Sequence, residues 1–530
     1  MPGMRLHTFP GGLKLDPKKS LSTARPLHVC PLPQEIVLPL SQHAGLPAEP
    51  VVEIGQTVLA GEPLARAAPG LSAPVHASTS GRIRAIEPRP VARAPFGEET
   101  CIVIEPDGRD AWKRLPAIAD PLHAPAEMLI ERVHEAGVVG LGGAVFPTAE
   151  KLAVPRELLI INGAECEPWI ACDDSLLRAR PHSVIFGARL AARILGARRI
   201  LVAVEDHMEA AYGALALALA RELAASDRPP ADPGTRPGAS LRFEEDADGA
   251  LARPLPVELV KVHTRYPEGG ERQLIKVLTG LEVPSGGLPR DIGVACINVA
   301  TAAAICAAVV HGEALASRVV TVTGPGIVEP RNFEVRLGTP IEHLVAAAGG
   351  YTERAARLIL GGPMMGLALP HDRFPITKSS NCVLVLPAEA VAANAPELPC
   401  IRCMACVPVC PARLLPQELH RHIVGRDWKE TLALGLFDCI ECGCCDQVCP
   451  SQIPLVDWYR YAKAELRHLQ ADDRRAAAAR DRFEARKLRL EREAAERATR
   501  QEARKRELAS PEAVAEAIAR ARARREDPSS

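Results

Sequence analysis

Two short runs of cysteine constrain this chain more than any other feature: CIRCMACVPVC starts at Cys400 and CIECGCCDQVC at Cys439. The first fits the frame C-x2-C-x2-C-x3-C-P on Cys400, Cys403, Cys406, Cys410 and Pro411. The second fits it on Cys439, Cys442, Cys445, Cys449 and Pro450, and leaves Cys444 over. A [4Fe–4S] cubane takes four thiolates, and in this frame the fourth cysteine of each run serves the other cluster. The spacing therefore predicts one cluster on Cys400, Cys403, Cys406 and Cys449, and a second on Cys439, Cys442, Cys445 and Cys410. A tight turn supplies three corners of each cubane. The fourth comes from a distant segment, so the crossing ties both clusters into one fold.

Two other uses of clustered cysteine fit less well. Zinc sites read C-x2-C twice with a spacer rather than triplets closed by C-P. Disulfides need an oxidising compartment, and the opening MPGMRLHTFPGG does not resemble a signal peptide. Nine of the 16 cysteines lie in the two runs, and the other seven read as buried free thiols of a reducing compartment.

At 530 residues the chain is too long for one core and implies several domains. A net charge of −1 and an aromatic content of 3% exclude the basic footprint and stacking platforms of a nucleic-acid binder. The stretch 292–310, IGVACINVATAAAICAAVV, is long enough to span a bilayer. Asn298 inside it, its alanine content and its lack of aromatic flanks favour a buried helix of an α/β domain instead.

The pattern along the chain predicts a multidomain α/β protein with small β modules. Residues 1–120 hold short β-type runs broken by Gly and Pro, VVEIGQTVLAGEPLA and SAPVHASTSGRIRAIE, which read as the halves of a barrel-sandwich hybrid. Lipoyl-type carriers need a lysine at the hairpin between the halves. Ala73 to His76 offer none, so the module is read as structural. Residues 121–315 alternate apolar runs (RELLIINGAE, RRILVAVED) with helical patterns, as a Rossmann-like parallel sheet does. The Pro/Gly-rich stretch 225–240 reads as a flexible insertion. Residues 316–368 read strand, turn, strand, helix, a β-grasp-like module. Residues 369–460 carry the cysteines, and the helical spacing between the runs predicts an α-helical ferredoxin domain. Residues 461–530 are an Ala/Arg/Glu-rich tail, helical and solvated or disordered, without a coiled-coil seam.

A second constellation is GVVGLGGAVFPTAEKL at 137–152. Gly140, Gly142 and Gly143 let backbone approach a ligand, their N–H groups can cradle a phosphate, and Lys151 can add a charge. A glycine-rich packing turn explains such a pattern equally well on its own.

The motifs GLGGAVFPTAEKL, INGAECEPWIACDD, YPEGGERQLI, INVATAAAI and GGPMMG, in this order, resemble the flavin-binding module of the NADH-oxidising subunit of respiratory complex I. With the sandwich before and two cysteine runs after, residues 5 to 460 resemble the RnfC family, the C subunits of the Rnf ion-translocating oxidoreductase complex. The resemblance implies FMN, two [4Fe–4S] clusters and NAD(H) as substrate. It assigns Gly140, Gly142, Gly143 and Lys151 to FMN and nucleotide binding, Asn162 and Glu165 to flavin contacts, and Glu167 to a carboxylate near the nicotinamide nucleotide. Glu271 corresponds to the first of two adjacent glutamates. The second is Arg272 here, the paired asparagines are Ile297 and Asn298, and an aromatic after Lys151 is missing.

The implied function is a peripheral subunit, on the cytoplasmic side of the inner membrane, of a complex that couples electron transfer between NAD(H) and ferredoxin to Na⁺ or H⁺ translocation. Its implied partners are multi-span membrane subunits and an iron–sulfur electron acceptor, with no nucleic acid. The chain has no lipidation motif or basic amphipathic stripe that would hold it to lipid alone. No acid–base or nucleophilic residue set is needed, because the cofactors carry the chemistry. Two other readings stay open: a soluble flavin/iron–sulfur reductase such as a cobalamin reductase, and a flavin-free electron-wiring subunit.

Overall fold

The computed structural model describes residues 5–93, 96–226, 255–391 and 396–526. The expected insertion at 225–240 lies outside the described residues beyond Ser226, where the helix Glu209–Ser226 ends.

The N-terminal module is a two-sheet sandwich. Ile36–Pro39, Gly97–Pro106, Gly81–Val91 and Thr57–Val58 form one sheet, and Glu49–Pro50, Pro63–Arg66 and Val75–His76 the other. Ile36, Leu38, Ile83, Ile102 and Ile104 from the first sheet pack with Leu64 and Val75 from the second. A lysine does reach the hairpin at Ala73–His76, but from far along the chain. Lys378, 1% exposed, donates to the carbonyls of Pro74 (3.1 Å) and Gly137 (2.8 Å), fastening the sandwich to the segment that enters the glycine loop. Buried there, it cannot serve as a carrier arm.

The α/β domain is built on four parallel strands, Leu158–Gly163, Arg199–Glu205, Val257–Val262 and Val294–Asn298, in the spatial order third, second, first, fourth. Alternate residues enter opposite cores. Leu159, Ile161, Ile200 and Val202 face one layer of helices, while Ile160, Leu201, Ala203 and Val260 face the other. This is why the strands read as continuous apolar runs. The run at 292–310, expected to be one buried helix, is a strand and a helix: Val294–Asn298 pairs with Leu158–Asn162, and Val299–Val310 is the helix. Asn298 makes the break. Its side chain accepts from the Ala300 amide at 2.8 Å and caps the helix, a role that asparagine fills outside helices rather than within them. Among the described residues no helix is long and apolar enough to cross a membrane.

The next module has a six-stranded mixed sheet with the helix Ile341–Ala347 packed on it. Beyond the expected strands Ser317–Thr323 and Arg331–Arg336, it takes in Cys382–Pro387 from the far side of its C-terminal end and His28–Val29 from the start of the chain. Helices Pro416–Val424 and Trp428–Ala433 separate the cysteine runs, giving the helical ferredoxin-like domain. From Arg460 onward the residues form a unit of their own. The helix Leu455–Leu508 runs through it and Pro511–Glu526 follows, both studded with i,i+4 pairs such as Arg489–Glu493 and Arg520–Glu516.

Residues 7–29 precede the sandwich strands but lie along the other modules as a strap. The His7 amide donates to Val277 O (2.8 Å) and the Gly12 amide to Val409 O (2.9 Å), while Leu13 and Tyr266 exchange both backbone hydrogen bonds (2.7 and 2.9 Å). Further on, Trp169 donates to Pro17 O, and Asn332 to Ser22 O. Lys19 anchors the strap: its ammonium lies 3.5 Å from Glu165 Oε2 and 4.0 Å from Glu205 Oε2, with Lys19 7% exposed and Glu205 wholly buried. Removing one partner of such a pair leaves a charge buried without compensation, a loss of about 3–5 kcal/mol. Lys19→Met should therefore lower the unfolding free energy, read from the denaturant midpoint and slope, by an amount in that range, and adding Glu205→Gln should recover part of it. An unchanged midpoint in the single variant would mean that the pair contributes nothing.

Candidate functional site

Between the first and fourth parallel strands the order of connection reverses, and such a switch point opens a crevice outside the carboxyl ends of the strands. Those ends carry Asn162 and Asn298, which are register partners. The glycine loop sits over them. It is closed by the Gly140 amide to Phe146 O (2.8 Å) and the Val145 amide to Gly140 O (3.1 Å), and the Leu141 amide bonds Thr301 Oγ1 (2.9 Å) on the following helix. A Cβ on Gly142 would come within 3.3 Å of Asn298 Cβ, so the loop backbone lies on that side chain. Gly143 has φ +107°, which side-chain-bearing residues rarely adopt, and has nothing within 4 Å of where its Cβ would be. Gly142, Gly143 and Ala144 are exposed at the crest, so the loop presents bare backbone to open space beside the strand ends.

Side chains at the strand ends are fixed by hydrogen bonds. Asn162 donates to Gly269 O (2.9 Å) and accepts from the Ala164 amide (3.0 Å). Asn298 Nδ2 donates to Asp173 Oδ2 at 2.6 Å. Burial, and then the charge of Glu165, push the Asp173 carboxyl up to about 7. Lys151 and Glu271, from the short helix Thr148–Leu152 and the start of the helix Glu271–Thr279, meet at 2.6 Å, each about a third exposed.

The two other carboxylates singled out in the sequence turn inward. Glu165 accepts from the Asp173 amide (3.0 Å) and the Cys172 thiol (3.3 Å) and pairs with Lys19. Glu167 Oε1 accepts from the Met364 (2.7 Å) and Met365 (3.1 Å) amides, holding the Gly361–Gly366 turn, and burial raises its carboxyl above the usual range. Of the departures from the complex I pattern, Ile297 is core at 5% exposure. Arg272 donates to Pro284 O (3.2 Å) and Gly287 O (2.9 Å) and lies 3.8 Å from Asp438, next to Cys439. Sequence reasoning does not single out Asp173 and Tyr266. Both fall inside the flavin-type motifs, but nothing local in the sequence signals a partner 125 positions away, as for Asp173 and Asn298.

The cysteines line two separate cavities. Cys400, Cys403, Cys406 and Cys449 surround one, with Ile453 and Leu455 in its wall. Cys410, Cys439, Cys442 and Cys445 surround the other, with Leu414 and Val456. Each set takes three residues from one run and one from the other. Four cysteines gathered around one pocket supply the four thiolates that a cubane takes, with Gln417, His420 and Ser451 also lining the first cavity and Tyr459 the second. Cys444 also borders the second cavity and is wholly buried, packed with Tyr266 and Cys442. In the same way the exposed glycine crest suits the phosphate of a flavin mononucleotide.

Four families match the chain in sequence. Residues 7–109 match the RnfC barrel sandwich hybrid domain, 133–307 the Nuo51 FMN-binding domain, 319–368 the SLBB domain and 399–453 the 4Fe-4S dicluster domain. Among similar proteins, the C subunit of the ion-translocating oxidoreductase complex of Pseudomonas aeruginosa is 45% identical over 497 residues, 93% of this chain and 60% of that protein. The protein of the same name in Vibrio cholerae is 41% identical, over 98% of this chain and 65% of that protein. That of Pectobacterium atrosepticum is 42% identical, over 93% and 67%. The chain thus spans about three fifths of the length of the first of these relatives. With matching domains in the same order and identities above 40% along nearly its whole length, the chain belongs to the RnfC family, the C subunits of ion-translocating oxidoreductase complexes.

Proposed function

We propose that the chain is the electron-transfer subunit of a membrane-bound ion-translocating oxidoreductase, passing electrons between NAD(H) and ferredoxin through FMN and two [4Fe–4S] clusters. The observation that carries this reading is the union, in one compact unit, of an open glycine crest at a strand switch point with two cavities that each draw cysteines from both runs. When bound, a flavin exchanges electrons in pairs with a nicotinamide and singly with a cluster.

The residues divide that work. Gly140, Gly142 and Gly143 shape the backbone cradle for the phosphate. Asn162 and Asn298 hold the strand ends beneath it, and the Lys151–Glu271 pair offers a charge to the nucleotide. Glu165 and Glu167 act through others: one secures the strap, the other the Gly361–Gly366 turn. Cys400, Cys403, Cys406 and Cys449 hold one cluster, and Cys439, Cys442, Cys445 and Cys410 the second. The open space at Gly143 favours a flavin-bearing protein over a flavin-free wire. The match of residues 7–109 to the RnfC sandwich favours the membrane complex over a soluble reductase. Cys400 and Cys403 are exposed, as is Ile401 between them, which suits a face where an iron–sulfur partner collects electrons. Multi-span partner subunits would hold the chain at the cytoplasmic face of the inner membrane.

Gly143→Val should abolish flavin binding, read as loss of flavin released on denaturation, with both cluster EPR signals intact. A wild-type protein that binds no flavin even from excess FMN would sink the proposed activity. For the ligand sets, Cys444→Ser should keep the full iron content, and Cys445→Ser should lose or convert one cluster. Equal losses in the two variants would mean that the register is wrong.

A further inference from the structure

We infer that Tyr266 is a positioning residue that seats the second cysteine set, Cys439, Cys442, Cys445 and Cys410, against the flavin crevice, leaving the first set as the outlet. This rests on the proposed reading of the crevice and the two cavities, and it adds an order to them. Tyr266 is 2% exposed, and its hydroxyl donates to the carbonyl of Cys442 at 2.6 Å. Its loop leads within three residues to Gly269, whose carbonyl receives Asn162 and whose amide donates to Cys166 Sγ at 3.2 Å. A Cβ on Gly269 would come 2.1 Å from Ala164 O, so this loop lies directly on the segment after the first parallel strand. One side chain thus spans from the crevice wall to a residue of the second cavity.

Three more contacts grip the same set. The strap residue Gly12 bonds Val409, beside Cys410, and a Cβ on Gly11 would come 2.5 Å from the Cys410 carbonyl carbon. Asp438, just before Cys439, accepts from Ser285 and faces Arg272. A Cβ on Gly443 would come 2.9 Å from Met364 O, in the turn that Glu167 holds. Around the first set, Cys406 bonds Gln417 (3.4 Å) and Ser451 bonds Pro399 (3.0 Å), both within the cysteine domain. The arrangement gives an order of transfer. With its cofactors bound, the second set would stand between the flavin crevice and the first set, so that single electrons would pass through it to the first set and reach a one-electron acceptor protein at the exposed Cys400–Cys403 loop. The reverse direction uses the same path.

The test uses the full chain with FMN and both clusters in place, the two cluster EPR signals being assigned with Cys400→Ser and Cys439→Ser. Tyr266→Phe keeps the ring and removes the hydroxyl. By donating to the Cys442 carbonyl, the hydroxyl would offset that oxygen's negative charge beside a bound second cluster and favour its reduced form, so the variant should lower the midpoint potential of that cluster alone. Flavin and iron contents should be unchanged, and cluster reduction by NADH should slow several-fold. Potentials that both stay fixed, or a shift confined to the first cluster, would overturn the assignment. In a second arm, power saturation of the flavin EPR signal should still show fast relaxation in Cys400→Ser and lose it in Cys439→Ser, and the opposite result overturns the order. A wild type without flavin would defeat the proposed activity, while the shift of a single cluster in Tyr266→Phe is read without it.

Discussion

A buried ammonium between two buried carboxylates holds this architecture in register. Lys19 enters the α/β domain from a strap with little secondary structure of its own and meets Glu165 and Glu205 at the ends of the first two parallel strands. Taking an ammonium out of water is costly unless it is paired, so the strap has one favourable position once these carboxylates are in place. Everything upstream follows from that anchor. Pro17 takes the Trp169 amide, Leu13 pairs with Tyr266, and Gly12 reaches Val409 in the first cysteine run. A segment that precedes the first domain thereby fastens the last one.

The consequence is a cysteine domain gripped from several sides rather than hung on a linker. Electron transfer through protein falls steeply with distance, so a redox chain needs its centres held at fixed separation. Contacts from Gly11, Tyr266, Arg272 with Ser285, and Met364 converge on one cysteine set. Arg272 illustrates the economy of the arrangement. It stands where the complex I pattern has a second glutamate, and its guanidinium faces Asp438 instead of open space. Glu167 is similar: it lies in a flavin-type motif, yet two amides of the Gly361–Gly366 turn occupy one of its oxygens.

Legibility differs between residues for physical reasons. The strands Leu158–Gly163 and Arg199–Glu205 are readable because parallel strands buried on both faces are continuous apolar runs bounded by polar residues. The run 292–310 reads as one helix and is not. Apolar periodicity cannot separate a buried strand from a buried helix, and the break is made by pairing with Leu158–Asn162, far away in sequence. The two-residue strand His28–Val29 leaves no pattern at all, since two residues cannot show alternation. Lys378 at the sandwich hairpin is likewise invisible, because the lysine and the hairpin lie some three hundred positions apart.

The sequence by itself determined the cofactor chemistry and the roster of modules. Cysteine spacing is local geometry: three thiols on a tight turn hold three corners of a cubane whatever surrounds them, and alternation of apolar residues reports local strand or helix. What only the tertiary structure decided is direction and contact. Which cysteine set Tyr266 reaches, which carboxylate of INGAECEP faces a lysine and which a glycine turn, and where Asn298 meets Asp173 all depend on close approach between distant segments. Such approaches are set by the packing of whole strands and helices, and no short window of residues carries that information.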